Sequence, residues 1–234
     1  MNLLLIDTSG PVCGVAVLKN GAVLYEAHAI NKLTHSVSMM PMVEEALIRS
    51  ALTVEQIDLF ACVKGPGSFT GVRIGVSAVK ALAHVHQKPC IGVDALEAMA
   101  QGVSMFDGLI CPVQDARAGQ VYGAVFEGFS MKRLMADTPI RIEEFCEQAK
   151  ALANGKKLMF LGDGMPVQKD RIAALLGDQA VFAPRNASYL HAAAAAVLAA
   201  RDADKAESYL TLSPLYLRPP QAERQKNLKE LGHE

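Results

Sequence analysis

The hydrophobic positions of this chain change period in a regular order. Residues 3–7 form a short apolar run closed by Asp7, and residues 12–19 and 22–29 flank Asn20-Gly21, a pair that tolerates the positive φ of a two-residue hairpin turn. An antiparallel three-strand meander is therefore predicted to open the chain. From residue 36 to 50 the period becomes helical, with Met39, Met40, Val43, Ala46 and Leu47 apolar and Pro41 either in the first turn or at a kink. Thr53 and Gln56 have capping-box spacing before a short helical turn. A strand over residues 57–63 then runs into Gly65-Pro-Gly-Ser-Phe-Thr-Gly71, followed by a helix over 71–86, a buried strand over 90–93 and a short helix over 95–101.

The order then begins again. Residues 109–115 are an apolar strand ending in Asp115, followed by a turn at 116–119, an alternating strand over 120–127, a further strand near 133–136 and a helix over 142–154. A strand over 157–161, the turn Gly162-Asp-Gly164 and helices over 166–176 and 189–201 complete the pattern. Two meander-plus-helix units, each opening with a strand that ends in Asp, resemble the fold of actin, hexokinase and Hsp70, whose lobes enclose a nucleotide. That resemblance implies an α/β, actin-like ASKHA (ribonuclease H-like) fold: two duplicated lobes of mixed sheet flanked by helices, residues 1–102 and 103–220, with a charged tail at 221–234.

Composition narrows the function. With 51% hydrophobic residues, 234 residues suffice for a large core. Lys and Arg total 23 against 24 Asp and Glu, so no global basic field attracts a phosphate backbone. The five cysteines (Cys13, Cys62, Cys90, Cys111 and Cys146) are odd in number and widely spaced, without CxxC, and four lie in strand-like apolar runs, as expected for buried, reduced thiols of a cytoplasmic protein. The first apolar run has no basic residues before it and no stretch nears the ~20 apolar residues of a membrane span, so neither signal peptide nor anchor is expected.

The motifs leave open alternatives. Asp7-Thr8-Ser9, at a turn after a strand, can hold hydrated Mg²⁺ and phosphate, or simply form an Asx-type turn. Gly65, Gly67 and Ser68, ahead of a helix, can present amides to an anion; alternatively Gly65, Gly67, Gly71 and Gly75 allow a tight turn and close helix packing. In the second half, Asp115-Ala-Arg117-Ala-Gly119 puts a bulky cation where a nucleotide-binding member of the fold usually has a glycine-rich loop. Asp115 and Arg117 can form a functional pair, but a strand-end ion pair that fixes the turn is the expected role. The helices at 36–50 and 71–86 carry apolar residues on more than one face, which fits either core or a partner surface. The histidines include no HxxxH or HExxH, and no serine or cysteine sits in a nucleophile motif. Neither metal nor covalent catalysis has its residues, and no cofactor is predicted.

Leu3-Leu-Leu-Ile-Asp-Thr-Ser9, the His35-Ser36 helix start with Pro41, Gly65-Pro-Gly-Ser-Phe-Thr-Gly-Val-Arg-Ile-Gly75, Asp115-Ala-Arg117 before Val121-Tyr122, and Pro214-Leu-Tyr-Leu-Arg218 together resemble the TsaB (YeaZ) family from end to end. The resemblance implies a non-catalytic role in forming N6-threonylcarbamoyladenosine at position 37 of tRNAs that read codons beginning with A. TsaD would transfer the threonylcarbamoyl group, pairing with this chain through its first two helices, and the ATPase TsaE would join them; tRNA would be contacted indirectly. The interface would draw on His35, Met39, Met40, Val43, Leu47, Arg73, Val76, Val79 and Lys80, and Asp7, Thr8, Ser9, Gly65, Gly67 and Ser68 would be a vestigial phosphate loop. Ala95 and Met99 stand where TsaD would carry its metal-binding HxxxH. An isolated preparation is expected to form a homodimer through the same surface. The alternatives are an ATP-binding kinase or ATPase using Asp7 and the glycine loop, and an M22-type glycopeptidase.

Overall fold

In the computed structural model, residues 1–30, 34–117 and 119–218 are described; the charged segment 221–234 lies outside them. The expected meander forms: β1 (Asn2–Asp7), β2 (Cys13–Lys19) and β3 (Ala22–Ala29) pair antiparallel. Asn20 and Gly21 take φ values of 51° and 84°, the left-handed pair that a two-residue hairpin needs. On its other side β1 pairs parallel with β4 (Leu59–Gly65), which pairs parallel with β5 (Cys90–Asp94). Leu3, Leu4, Leu5 and Ile6 are thus covered on both faces and buried, which is why β1 is continuously apolar.

The second sheet repeats the first strand for strand. It holds β6 (Leu109–Asp115), β7 (Gln120–Glu127), β8 (Arg133–Arg141), β9 (Leu158–Leu161) and β10 (Ala180–Phe182). The orders are β3-β2-β1-β4-β5 and β8-β7-β6-β9-β10, with the same antiparallel and parallel pairs at matching places. The strands differ from the sequence pattern in two places. β8 continues past residue 136 to Arg141 although it contains Pro139, because β8 is an edge strand and a missing N–H there faces no partner. β10 is three half-buried residues, too short to leave a period in the sequence.

The helices lie in three layers. α1 (His35–Arg49) and α2 (Phe69–His86) cover the outer face of the first sheet, and α4 (Ile142–Ala153) and α5 (Gly164–Leu176) that of the second. α3 (Ala95–Gln101) and α6 (Ala192–Arg201) pack between the sheets in the central apolar layer. Pro41 stands in the interior of α1, so the bond from residue 41 to the Val37 carbonyl is forgone. Residues 192–215, in the second half of the sequence, return to the first sheet: α6 packs against β1 and β2, and Leu215 N donates to Lys64 O at 2.7 Å. Among the described residues, no helix is long and apolar enough to cross a membrane.

One junction joins these layers. The β1–β2 turn lies directly on the loop before α2: Ser68 N donates to Ser9 O at 2.7 Å and Thr8 Oγ1 to Gly71 O at 2.7 Å. A Cβ on Gly67 would meet the Ser9 carbonyl, one on Gly71 the Thr8 carbonyl, and one on Gly75 would stand 2.6 Å from Thr8 Oγ1. Alanine at an ordinary helix position is favoured over glycine by about 1 kcal/mol. At Gly71, which is in α2, the clash reverses the sign: Gly71→Ala is expected to lower stability by about 2–4 kcal/mol in urea unfolding. Gly10→Ala, with open space around it, should stay within about 0.5 kcal/mol of the parent. A Gly71→Ala chain as stable as the parent would refute the contact.

Candidate functional site

The ends of the two equivalent strands face each other across a cleft of about 500 Å³. From the first lobe it is lined by Ser9, Gly10, Pro11 and the loop 66–70; from the second by Gln114, Asp115, Ala116, Arg117, Tyr122 and Asp163; and across its mouth by residues 215–218. The two strand ends are built alike. Asp7 Oδ1 accepts from Ser9 N at 2.8 Å, and Asp115 Oδ1 accepts from Arg117 N at 2.9 Å. Asp115 and Arg117 therefore meet through an Asx turn with Arg117 at φ 68°, not through the expected side-chain ion pair.

Of the residues expected in a phosphate loop, Ser9, Gly67 and Ser68 line this cleft, while Asp7, Thr8 and Gly65 do not. The Thr8 hydroxyl is committed to Gly71 O, and Gly65, at φ 115°, has the Leu215 carbonyl where a side chain would go. Asp7 is 2% exposed, and burial pushes its carboxyl up to about 6 against the lowering effect of the bond from the Ser9 backbone N–H. Asp163 is also pushed up to about 6 by burial, with Asp115 adding to the rise. The Ser9 hydroxyl, Gln114 Oε1 and Asp163 Oδ1 are buried without a hydrogen-bond partner. The cleft thus presents Asp115 and Asp163 on the wall that also carries Arg117. Asp163 and Gln114 carry no motif, because Gly162-Asp-Gly164 reads only as a turn and Gln114 as one more strand position.

The residues expected at a partner interface divide by helix face. Met39 and Val43 of α1, and Val76 and Val79 of α2, are buried in the first lobe's core, contrary to expectation. Their spacing places them toward the sheet, where each removes apolar area worth about 1.5–3 kcal/mol. Met40 is exposed, Leu47 is half-buried, and Val37, Ile48 and Val85 join Met40 as large apolar side chains in water. His35 Nε2 lies 2.9 Å from Gly10 O and ties the start of α1 to the β1–β2 turn. Arg73 stacks on Phe69 at 4.0 Å and donates to Tyr216 Oη at 2.7 Å, while Lys80 donates to Leu212 O at 2.9 Å. With Arg218 donating to Ala116 O at 3.2 Å, these bonds hold a C-terminal strap across both lobes. No period in the sequence marks this strap, since its contacts are single bonds between residues remote in sequence.

Ala95 and Met99 of α3 are buried in the central layer. All five cysteines are buried and unpaired, and burial raises their thiols, Cys13 and Cys90 to about 11.

Residues 29–226 match the model of the family described as TsaD: tRNA N6-adenosine threonylcarbamoyltransferase. Over 179 residues the chain is 35% identical to the tRNA threonylcarbamoyladenosine biosynthesis protein TsaB of Bacillus subtilis (strain 168), spanning 76% of this chain and 77% of that protein. The chain belongs to the TsaB family. The Escherichia coli (strain K12) TsaB is 38% identical over 130 residues, 54% of this chain and 55% of that protein. Among solved structures, YeaZ from Pseudomonas aeruginosa aligns with a TM-score of 0.73 at 23% identity, covering 92% of this chain and 99% of that one. The ethanolamine utilization protein EutJ of Carboxydothermus hydrogenoformans aligns at 0.51 and 12%, covering 84% and 89%. These likenesses show that the chain shares their fold, α/β with two mixed sheets flanked by helices.

The buried Asp7 makes a pH prediction. Its carboxyl rises from an ordinary 3.8 to about 6 on folding, so the folded chain holds that proton more tightly than the unfolded one. The resulting stability is fully present below about pH 3.8 and is lost as pH rises through about 6, a difference of about 3 kcal/mol. Asp7→Asn should therefore gain on the parent between pH 4 and 7 in urea unfolding. Equal pH profiles for the two chains would show that Asp7 is not held in this state.

Proposed function

We propose that this chain is the non-catalytic partner of TsaD in placing the threonylcarbamoyl group on N6 of adenosine 37 in tRNA. The observation that carries this reading is its family membership, with relatives named for threonylcarbamoyladenosine biosynthesis. The surface supports the partner role: Val37, Met40 and Ile48 on α1 and Val85 on α2 are large apolar groups left in water after the helices have filled the core beneath them. Burial of Ala95 and Met99 also fits a chain whose role is to support its partner's site. TsaD docks on the outer face of α1 and α2, TsaE with ATP joins that pair, and tRNA is contacted mainly through TsaD. A homodimer of the isolated chain uses the same face and competes with the heterodimer.

The test is light scattering coupled to size exclusion with the cognate TsaD. Met40→Glu and Ile48→Glu are expected to keep the parent's melting temperature and weaken the heterodimer about tenfold or more. Val43→Glu and Val76→Glu, which bury an unpaired charge, are expected to unfold the chain instead. Absence of a heterodimer with the parent chain would overturn the reading, and titration of the cleft with Mg-ATP would then test the kinase or ATPase alternative.

A further inference from the structure

Three ligand-type side chains from two remote segments of the chain meet at the edge of the first sheet. Glu26 and His28 are two residues apart on β3, so they share a face of the strand. His191 is the N-cap residue of α6, the helix that returns to that sheet. Glu26 Oε1 lies 3.3 Å from His28 Nε2 and 3.9 Å from His191 Nδ1, and the three ligand atoms all fall within 4.8 Å of one another. The side chains of Glu26, His28 and His191 are 27%, 27% and 40% exposed, half-sunk but reachable from water.

An ion pair between His28 and Glu26 does not account for the cluster. Ala192 N donates to His28 Nε2 at 3.1 Å, and a protonated imidazole has no lone pair with which to accept. His28 is therefore neutral, in keeping with burial that holds it below its ordinary pKa, with Glu26 raising it and His191 lowering it. His191 is oriented in the same sense. Its Nε2 lies 2.8 Å from the Asn186 carbonyl, which can only accept, so Nε2 carries a hydrogen and Nδ1 is the nitrogen that faces Glu26. A backbone carbonyl holding the far nitrogen of an imidazole is the arrangement that fixes metal-binding histidines. Glu26 Oε1 accepts from Ala193 N at 2.7 Å, which leaves further carboxylate lone pairs for another partner.

We propose that Glu26, His28 and His191 bind one divalent transition-metal ion of the zinc type, with water in the remaining position. Two neutral imidazoles and a carboxylate suit Zn²⁺ at about 2.0–2.2 Å from each ligand. Rotation of the partly exposed side chains brings the three atoms onto one centre, and His28 exchanges the Ala192 N–H for the ion. The bound ion joins the edge strand β3 to the start of α6 and so clamps the returning helix to the first sheet.

The experiment is calorimetric titration of the full chain with ZnCl₂, after removal of any affinity tag and dialysis against chelator, with thermal melts on the same samples. Saturation near one ion per chain and a zinc-dependent rise in melting temperature are expected. Glu26→Gln and His191→Ala should each weaken binding about tenfold or more and abolish the rise while melting like the parent without metal. His84→Ala, outside the cluster, should bind like the parent. No saturable binding by the parent, or parent-like affinity in the Glu26→Gln, His191→Ala double variant, would overturn the site.

Discussion

The contact between the β1–β2 turn and the loop that opens α2 is the constraint on which the rest of the molecule depends. Two backbone segments lie directly on each other there, with Thr8 and Ser9 on one side and Gly67, Gly71 and Gly75 on the other, bonded through Ser68 N and the Thr8 hydroxyl. No side chain fits between them, so the distance from the first sheet to the axis of α2 is set by backbone radii alone. From that distance follow the pairing of α2 with α1 over the sheet, the anchoring of α1 through His35 to Gly10 O, and the place where the C-terminal strap meets Lys64, Lys80 and Arg73. A rigid seam here converts a pair of amphipathic helices into a surface of fixed shape.

The same seam determines what chemistry the cleft retains. Asp7 and Thr8, at the end of the central strand, are spent on the turn and turned away from the opening, and Ser9 is left with an unpartnered buried hydroxyl. The second lobe repeats the Asx turn at Asp115 but follows it with Arg117 in a left-handed conformation and places Asp163 beside it. Two half-buried or buried carboxylates on one wall, with an arginine at their edge, make an electrostatically mixed cleft. The exposed apolar groups lie elsewhere, on the outer helix pair. The exposed apolar groups and the interlobe cleft thus occupy different faces of the first lobe, joined by α2, whose N-terminus borders the cleft and whose length carries Val85.

Much of the architecture was legible because it rests on local patterns. The Asn20-Gly21 hairpin, the buried run of β1, the capping residues at Thr53 and Gln56 and the repeated strand ending in Asp each announce themselves within a few residues. The first helices were legible as helices, but not which of their apolar stripes was spent on core. Met39, Val43, Val76 and Val79 and the exposed Met40 and Ile48 belong to the same two apolar sequences, and only the position of the sheet separates them. Local chemistry likewise hid the extent of β8, because Pro139 reads as a stop until the strand is known to be an edge.

The sequence by itself determined the duplicated order of elements and the membership of the family, since these depend on short-range periods and local motifs, while the need for glycine at 65, 67, 71 and 75 came from contacts with remote backbone and side chain. Only the tertiary structure decided that α6 returns to the first sheet, that residues 212–218 strap the lobes together, and that Glu26, His28 and His191 share one spot. The physical reason is the separation of the partners: His28 and His191 stand 163 positions apart in the sequence. Nothing in the local preferences of either segment encodes which remote surface it will bury.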